Sequence, residues 1–329
     1  MRAAITGANG FIGATLTRKI CENGGRVAAI VRQTSDLSLL DTTACELHTT
    51  GLSRVETLSE AFAGADVVFH CAARSSDWGS IDDFRADNVD PAVRVVTAAS
   101  RAGVERLVHI SSTVVYGFHG HVNANEATKH APSPFPYCVT KLEGEREIVR
   151  LSQKLGIECV IIRPGNVYGP GDRVTFAKLL PHLEKGDFAH VSGGRSLTCP
   201  TYVDHLVDAL IKAAEVPGID GEDFIITDGL RVNWRDFIDA TSKALDGRQI
   251  RLSFSPWIAN AAAGVAEWIF TALARPEAPP ITRYRVAQTS RDYHFSIDKA
   301  KRLLGYEPSI PLEEALCRTI AWYRGKRVQ

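Results

Sequence analysis

The chain has 329 residues, more than one typical domain holds, with 45% hydrophobic and 23% charged residues, an ordinary composition for a globular protein. Lys+Arg and Asp+Glu both number 38, so no net charge draws the chain to nucleic acid or an anionic membrane. The 7 cysteines stand singly, an odd count without a C-x-x-C pair, which argues against a disulfide framework or zinc site and for reduced thiols of the cytoplasm. No metal is expected, and a strand begins so close to Met1 that no secretory leader is expected either.

Residues 2–6 are a short strand, Gly7-Ala8-Asn9-Gly10-Phe11-Ile12-Gly13 a tight turn, and a helical pattern follows to Glu22 before a Gly24-Gly25 stop. Residues 27–31 then form a second buried strand. This is one βαβ unit with a phosphate-binding loop at its helix N-terminus, which makes Gly7, Asn9, Gly10, Phe11, Ile12 and Gly13 candidate nucleotide contacts. The G-x-x-G-x-x-G spacing resembles that of the short-chain dehydrogenase/reductases and implies a nicotinamide dinucleotide. An acid at the end of the second strand would bind the ribose of NAD. Here Val31-Arg32-Gln33-Thr34-Ser35 holds none until Asp36. Arg32, helped by Ser35, fits a clamp on a 2′-phosphate, so NADP(H) is preferred and NAD(H) is the alternative. The blander reading of Arg32 is a solvated arginine after a strand.

Residues 45–49 are a third strand, followed by Gly51-Leu52-Ser53 where the family usually puts an Asp near the adenine. A helix is expected over 53–62 and an apolar strand over 66–73. The small residues Ala72 and Ala73 let the backbone approach a cofactor, and His70 reads as a packed strand-end residue. Helix 82–102 contains Asn88 and then Asp90-Pro91, so it is either continuous or starts near Asp90. In related enzymes an Asn at this point lies beneath the active site, which implies that place for Asn88.

The apolar strand 107–111 ends in Ser111-Ser112-Thr113 and is expected to continue through 114–117. Residues 137–154 form a helix, on which Tyr137 and Lys141 are four apart and share one face. Alone, such a pair is usually a half-buried helix face. With a serine on a neighbouring strand end and a nucleotide site upstream, it becomes a device for moving a proton. Serines ending a strand, V-Y-G, and Y-x-x-x-K downstream resemble the extended branch of the same family. That resemblance implies Ser112 as the residue orienting the substrate oxygen and Tyr137 as general acid/base. It implies Lys141 as the residue that binds the nicotinamide ribose and lowers the Tyr137 pKa. Thr113 is the alternate hydroxyl and Ser111 a structural one. Segment 119–136 reads as an exposed loop, its His119 and His121 too few for a metal. After strand 158–163, the run from Arg163 to Gly171 resembles the R-P-x-x-V-Y-G-P-G mark of the extended branch, implying that Pro164 and Val167 meet the nicotinamide carboxamide.

Beyond residue 172 the pattern is mixed. Helices are expected over 176–185, 203–215, 234–245, 298–304 and 312–323, and strands over 188–191, 224–226 and 250–254. The fold class is therefore α/β, a Rossmann-like doubly wound parallel sheet. Residues 1–172 form the NAD(P)-binding domain with the catalytic residues. Residues 173–329 are mainly a smaller substrate lobe, interleaved with late strands of the main sheet. Sugar-nucleotide epimerases carry an Arg a few residues before the V-D pair, where this chain has Leu197, and an Arg-Pro-Gly-Asp run where it has Val286-Ala287-Gln288-Thr289. The A-A-x-x-x-x-W-G segment from Ala72 to Gly79 instead resembles the 3β-hydroxysteroid dehydrogenase group, which includes sterol-4-carboxylate 3-dehydrogenases. It makes Ser75 and Trp78, with Thr113, candidate substrate contacts. Residues 256–274 are unusually apolar, long enough to consider a membrane span, but Asn260 and Glu267 interrupt them and alanine dominates. They read as a lid helix or a surface helix grazing a membrane rather than a span.

The expectation is an NADP(H)-dependent cytoplasmic oxidoreductase of a secondary alcohol or ketone on an apolar small molecule, paired by resemblance as a homodimer. A nucleotide-sugar epimerase or dehydratase that recycles its cofactor is the first alternative. A non-enzymatic nucleotide-sensing regulator, disfavoured by the intact Tyr137 and Lys141, is the second.

Overall fold

The computed structural model describes residues 1–327; residues 328–329 of the expected second lobe lie outside the described residues. Strand and helix alternate from the start: β1 (Arg2–Thr6), α1 (Phe11–Glu22), β2 (Arg26–Ile30), β3 (Glu46–His48), α2 (Val55–Ala61) and β4 (Val67–His70). The helical pattern over 82–102 is two helices. In α3 (Ile81–Asn88) the Ser80 hydroxyl caps the Asp83 amide at 3.1 Å, and α4 (Asp90–Arg101) takes Pro91 into its first turn, where no helical hydrogen bond is lost. Next come β5 (Arg106–Ile110), β6 (His121–Ala124), α5 (Pro136–Leu155), β7 (Glu158–Pro164), β8 (Asn166–Tyr168) and α6 (Phe176–Lys185). Short strands and helices follow: β9 (His190–Val191), β10 (Leu197–Thr198), β11 (Pro200–Tyr202), α7 (Val203–Glu215), β12 (Asp223–Ile226), β13 (Val232–Asn233), α8 (Trp234–Ala244) and β14 (Ser253–Phe254). The chain closes with α9 (Pro256–Ala272), α10 (Arg283–Ser290), β15 (Tyr293–Phe295), α11 (Asp298–Leu304) and α12 (Leu312–Arg327).

Seven parallel strands form the central sheet in the order β12-β7-β5-β4-β1-β2-β3. Alternate side chains leave opposite faces of each strand, so each face builds its own core. Ala3 and Ile5, Val67 and Phe69, Val108 and Ile110 pack with Leu16 of α1, Leu206 of α7 and Leu316 of α12. Ala4, Val68, Leu107 and Ile161 pack instead with Leu58 of α2, Val95 of α4 and Ile148 of α5. Strand order reverses between β1 and β4, and the crevice at the carboxyl ends of those strands is where a doubly wound sheet takes its ligand. β12, from the second half of the chain, completes one edge by pairing with β7.

Several local expectations change. The strand expected to run on through 114–117 is instead a 3-10 turn, Thr113–Tyr116. The Ser112 hydroxyl accepts from the Val114 amide at 3.3 Å, and Gly117 at φ +74° turns the chain away. The apolar strand 66–73 stops at His70, leaving Ala72 and Ala73 in a loop. Segment 119–136 is not simply a loop, because β6 within it pairs in parallel with β15, some 170 residues on. His121 Nε2 there lies 3.0 Å from the Gly117 carbonyl, and His119 Nε2 lies 2.8 Å from that of Ala131. The Gly/Pro stretch after β7 contains β8, paired with β11. Helix α10 and strands β10, β11, β13 and β15 are too short or too polar to stand out in the pattern.

Candidate active site

The glycine turn is shaped by close approach. A side chain on Gly13 would place its Cβ 2.2 Å from the Gly7 carbonyl oxygen, and one on Gly7, itself at φ +68°, would meet the Ala72 Cα at 2.9 Å. Only glycine lets β1, the loop and the strand-end of β4 converge so tightly. Helix α1 then begins at Gly10 with no side-chain cap, so its first amides face the crevice unblocked. A bare cradle with a helix N-terminus fits a diphosphate. Asn9 does not point into it: its amide donates to the Asp36 carbonyl at 3.2 Å. Phe11 and Ile12 are half-buried against the α1 side core.

At the end of β2, Arg32 is exposed and joins no ion pair among the described residues, and its amide is held by the Ser35 hydroxyl at 3.1 Å. Asp36, the nearest acid, is otherwise engaged. Arg173 forms an ion pair with it and donates to Ser38 at 2.6 Å. Hydrogen bonds from Ser38, with Arg173 beside it, hold the Asp36 carboxyl down at about 2.

The chemistry-bearing residues converge at the carboxyl ends of β4, β5 and β7. Pro136 opens α5 and puts Tyr137 in its first turn, half-buried, with Lys141 one turn further in and fully buried. Ser75, from the loop after β4, and Ser112, from the end of β5, bring their hydroxyls near that of Tyr137. Burial raises the Tyr137 pKa, and the nearby Ser75 and Ser112 hydroxyls oppose the rise. The expected downward push from Lys141 is not what governs this phenol. The Lys141 ammonium is turned to the Ile110 carbonyl at 2.7 Å, and burial brings its own pKa down to about 8 against the pull of Glu145.

The other expected residues have definite places. Asn88 binds the Arg74 amide at 2.7 Å and donates to Thr140 at 3.2 Å, so it ties the loop holding Ser75 to α5. Thr113 does not present a free hydroxyl, because it donates to the Pro164 carbonyl at 3.2 Å and so fixes the turn after β7. Pro164 is buried, and Val167 lies on β8 opposite Thr201. Ser111 donates to Glu145 at 2.5 Å. Trp78 stands at the other end of the Ser75 loop, its indole N–H donating to the Arg275 carbonyl at 3.2 Å. His70 is packed: its Nδ1 is 2.7 Å from the Thr6 hydroxyl, its ring stacks on His109, and burial holds it neutral, down at about 3.

Sequence reasoning missed two groups. Tyr284 of α10 and Phe84 of α3 stand with their rings 6.4 Å from that of Tyr137. Asn166 donates to Thr198 at 3.0 Å and accepts from Gln288 at 2.8 Å, which links the turn after β7 to α10. Thr282, whose hydroxyl caps the Arg285 amide at 3.2 Å, was the one signal that a helix starts there. Beneath the pair lies a buried ion network. Arg163 binds Glu145 at 2.7 Å, pairs with Asp223, and donates to the Tyr116 hydroxyl at 2.6 Å. Lys299 closes it on Asp223 at 2.7 Å. Among the described residues no cluster of His, Cys, Asp and Glu could hold a metal.

Known proteins match this arrangement. The profile of the NAD dependent epimerase/dehydratase family matches residues 3–227. A 4-hydroxy-2-methyl-3-oxo-4-farnesyl-3,4-dihydroquinoline-1-oxide ketoreductase of Stigmatella aurantiaca is 29% identical, over 96% of this chain and 95% of that protein. A 3-beta-hydroxysteroid dehydrogenase of Mycolicibacterium neoaurum is also 29% identical, over 98% of this chain and 91% of its own. The UDP-glucose 4-epimerase of Thermotoga maritima superposes with a TM-score of 0.80 over the whole of both chains at 21% identity, a likeness of fold alone.

Proposed function

The chain belongs to the NAD dependent epimerase/dehydratase family, the extended short-chain dehydrogenase/reductases, and from that premise we propose that it interconverts a secondary alcohol and a ketone on an apolar molecule. It is an oxidoreductase of CH–OH groups, in keeping with relatives named as ketoreductases and 3β-hydroxysteroid dehydrogenases. The observation that carries the finer reading is the surroundings of Tyr137: the hydroxyls of Ser75 and Ser112 near its own, and the rings of Phe84 and Tyr284 beside its ring. Arg285 of α10, the helix that carries Tyr284, is paired with Asp77 at 2.6 Å. An aromatic wall with its cation already paired suits an apolar substrate better than a nucleotide diphosphate.

In this reading Gly7, Gly10, Gly13 and the first turn of α1 hold the diphosphate of the dinucleotide, and Arg32 and Ser35 take the 2′-phosphate of NADP(H). Asp36 offers no rival, since Arg173 and Ser38 occupy it. The bound nicotinamide supplies or accepts the hydride. Ser112 and Ser75 orient the substrate oxygen towards Tyr137. With its pKa raised, Tyr137 is a neutral phenol near pH 7, ready to give its proton to the oxygen of a ketone under reduction. Lys141 lies one turn below and keeps a positive charge under the site. Relatives of this kind pair through the helices equivalent to α4 and α5, and a homodimer across those helices is part of the proposal.

The test is consumption of NADPH and NADH with apolar ketones, together with cofactor titration of Arg32→Ala. NADPH is expected to bind at least tenfold more tightly than NADH, and Arg32→Ala to remove the gap, with one NADPH consumed per alcohol formed. Interconversion of a nucleotide-sugar with no net cofactor use would establish the epimerase alternative instead. NADH binding as well as NADPH would end the role given to Arg32.

A further inference from the structure

Helix α9 inverts the usual rule of a surface helix. Its buried residues are the small ones, Ala259 and Ala263, which pack against Val286 of α10 with Val191 and Ile281. Its large residues point to solvent: Trp257 is 73% and Trp268 71% exposed, and Ile258, Val265, Ile269 and Leu273 are exposed beside them. Trp257 and Trp268 are eleven residues apart, three turns and so about 16 Å along one stripe. Outward-facing tryptophans cannot serve the core, and a contiguous apolar stripe on a surface marks a contact.

The charges around the stripe select its occupant. Glu267, the one charged residue of α9, faces inward and binds the Arg283 side chain at 2.5 Å and its amide at 2.7 Å. The outer face therefore carries no charge. In the flanking chain from 247 to 280 the exposed charges are Arg248, Arg251 and Arg275 against Glu277 alone. Within a chain balanced at 38 basic and 38 acidic residues, the sequence flanking this uncharged aromatic stripe thus has a small basic excess. A second copy of the chain would be a poor occupant. A helix face about 25 Å long and about 10 Å wide offers a few hundred Å², well short of the roughly 800 Å² per partner of a stable interface. A lipid surface needs no more than such a stripe with basic residues at its ends.

We propose that α9 is a docking helix that lies flat on an anionic lipid bilayer, with Trp257 and Trp268 at the level of the headgroups. No helix among the described residues is long and apolar enough to cross a membrane, so the contact is superficial. It adjoins the cleft: α9 holds α10 through Glu267, α10 carries Tyr284, and the Trp78 indole reaches the Arg275 carbonyl just past the end of α9. The inference stands apart from the identity of the substrate and is measured without one.

The experiment is cosedimentation of the full chain with phosphatidylcholine vesicles containing phosphatidylglycerol, for the wild type and for the double variant Trp257→Ser/Trp268→Ser. The wild type is expected to partition onto the vesicles. The variant is expected to lose at least about tenfold in partition while keeping its melting temperature. A wild type that stays in the supernatant, or a variant that partitions equally well, overturns the proposal. So does a wild-type dimer that becomes a monomer in the variant without vesicles, which would make the stripe a contact between copies.

Discussion

Around Tyr137, the side facing the sheet and the side facing α9 and α10 are held together differently. On the sheet side, Arg163 and Glu145 are almost wholly buried and bind each other, Asp223 and Tyr116, while Lys141 is fixed on the Ile110 carbonyl. Arg163 of β7 holds Glu145 of α5, Asp223 of β12 and Tyr116 of the turn after β5 together. On the outer side, α9 buries little more than two alanines, and the ties are the pairs Arg283–Glu267 and Arg285–Asp77, whose arginines are about half exposed. The contrast teaches where each task is placed. In the proposed reaction, proton transfer needs groups fixed to a fraction of an ångström, and Tyr137 is set against that rigid side. Substrate entry needs a part that gives, and the outer side has the weaker restraints.

The largest expected effect tests whether the rigid side is the catalytic one. Tyr137→Phe is expected to lower kcat by about a thousandfold or more, within the range of a lost general acid, while the cofactor Kd from titration stays nearly unchanged. Persisting turnover would remove the chemistry from this side altogether. Next comes a matched pair of stability measurements by urea unfolding. Arg163→Met strands Glu145 beside Asp223 and is expected to cost about 3–5 kcal/mol. Arg283→Gln, on the outer side, is expected to cost no more than about 1 kcal/mol. Equal losses would erase the difference between the two sides.

A pH profile sharpens the comparison further. Burial lowers the Lys141 pKa from 10.5 to about 8, so the charge beneath Tyr137 is present below about 8 and lost above it. Ketone reduction is therefore expected to decline as pH rises through about 8. Stability responds in the opposite sense. Between about 8 and 10.5 the unfolded chain binds the proton that the folded chain has released, so the penalty for burying this charge, present below about 8, is relieved as pH rises through that window. Lys141→Met is expected to flatten both profiles, and an unchanged rate profile would show that this ammonium does not support the reaction.

Much of the fold was legible because its signals are local. The glycine turn between β1 and α1 is marked by the spacing of its own glycines, and α6, α7 and α11 fall where the helical period puts them. The same holds for the Tyr137–Lys141 spacing, which one turn of helix converts into a shared face. Where the pattern misled, the cause was distant in one case and local in the other: β6 exists because β15 pairs with it, while the strand expected over 114–117 is a turn that Ser112 caps two residues away.

What the sequence determined by itself is thus the βαβ cofactor unit, the succession of strands and helices, and the register of tyrosine and lysine on α5. Each depends on backbone geometry over a few residues. Only the tertiary structure decided that Ser75 joins Ser112 at the Tyr137 hydroxyl, that Lys141 turns to Ile110, that Thr113 is spent on Pro164, and that Tyr284 walls the cleft. It also decided which face of α9 is turned outward, since a helix so apolar all round carries no periodic signal of its own. Those choices rest on contacts between residues far apart in the chain, whose energies no local pattern records.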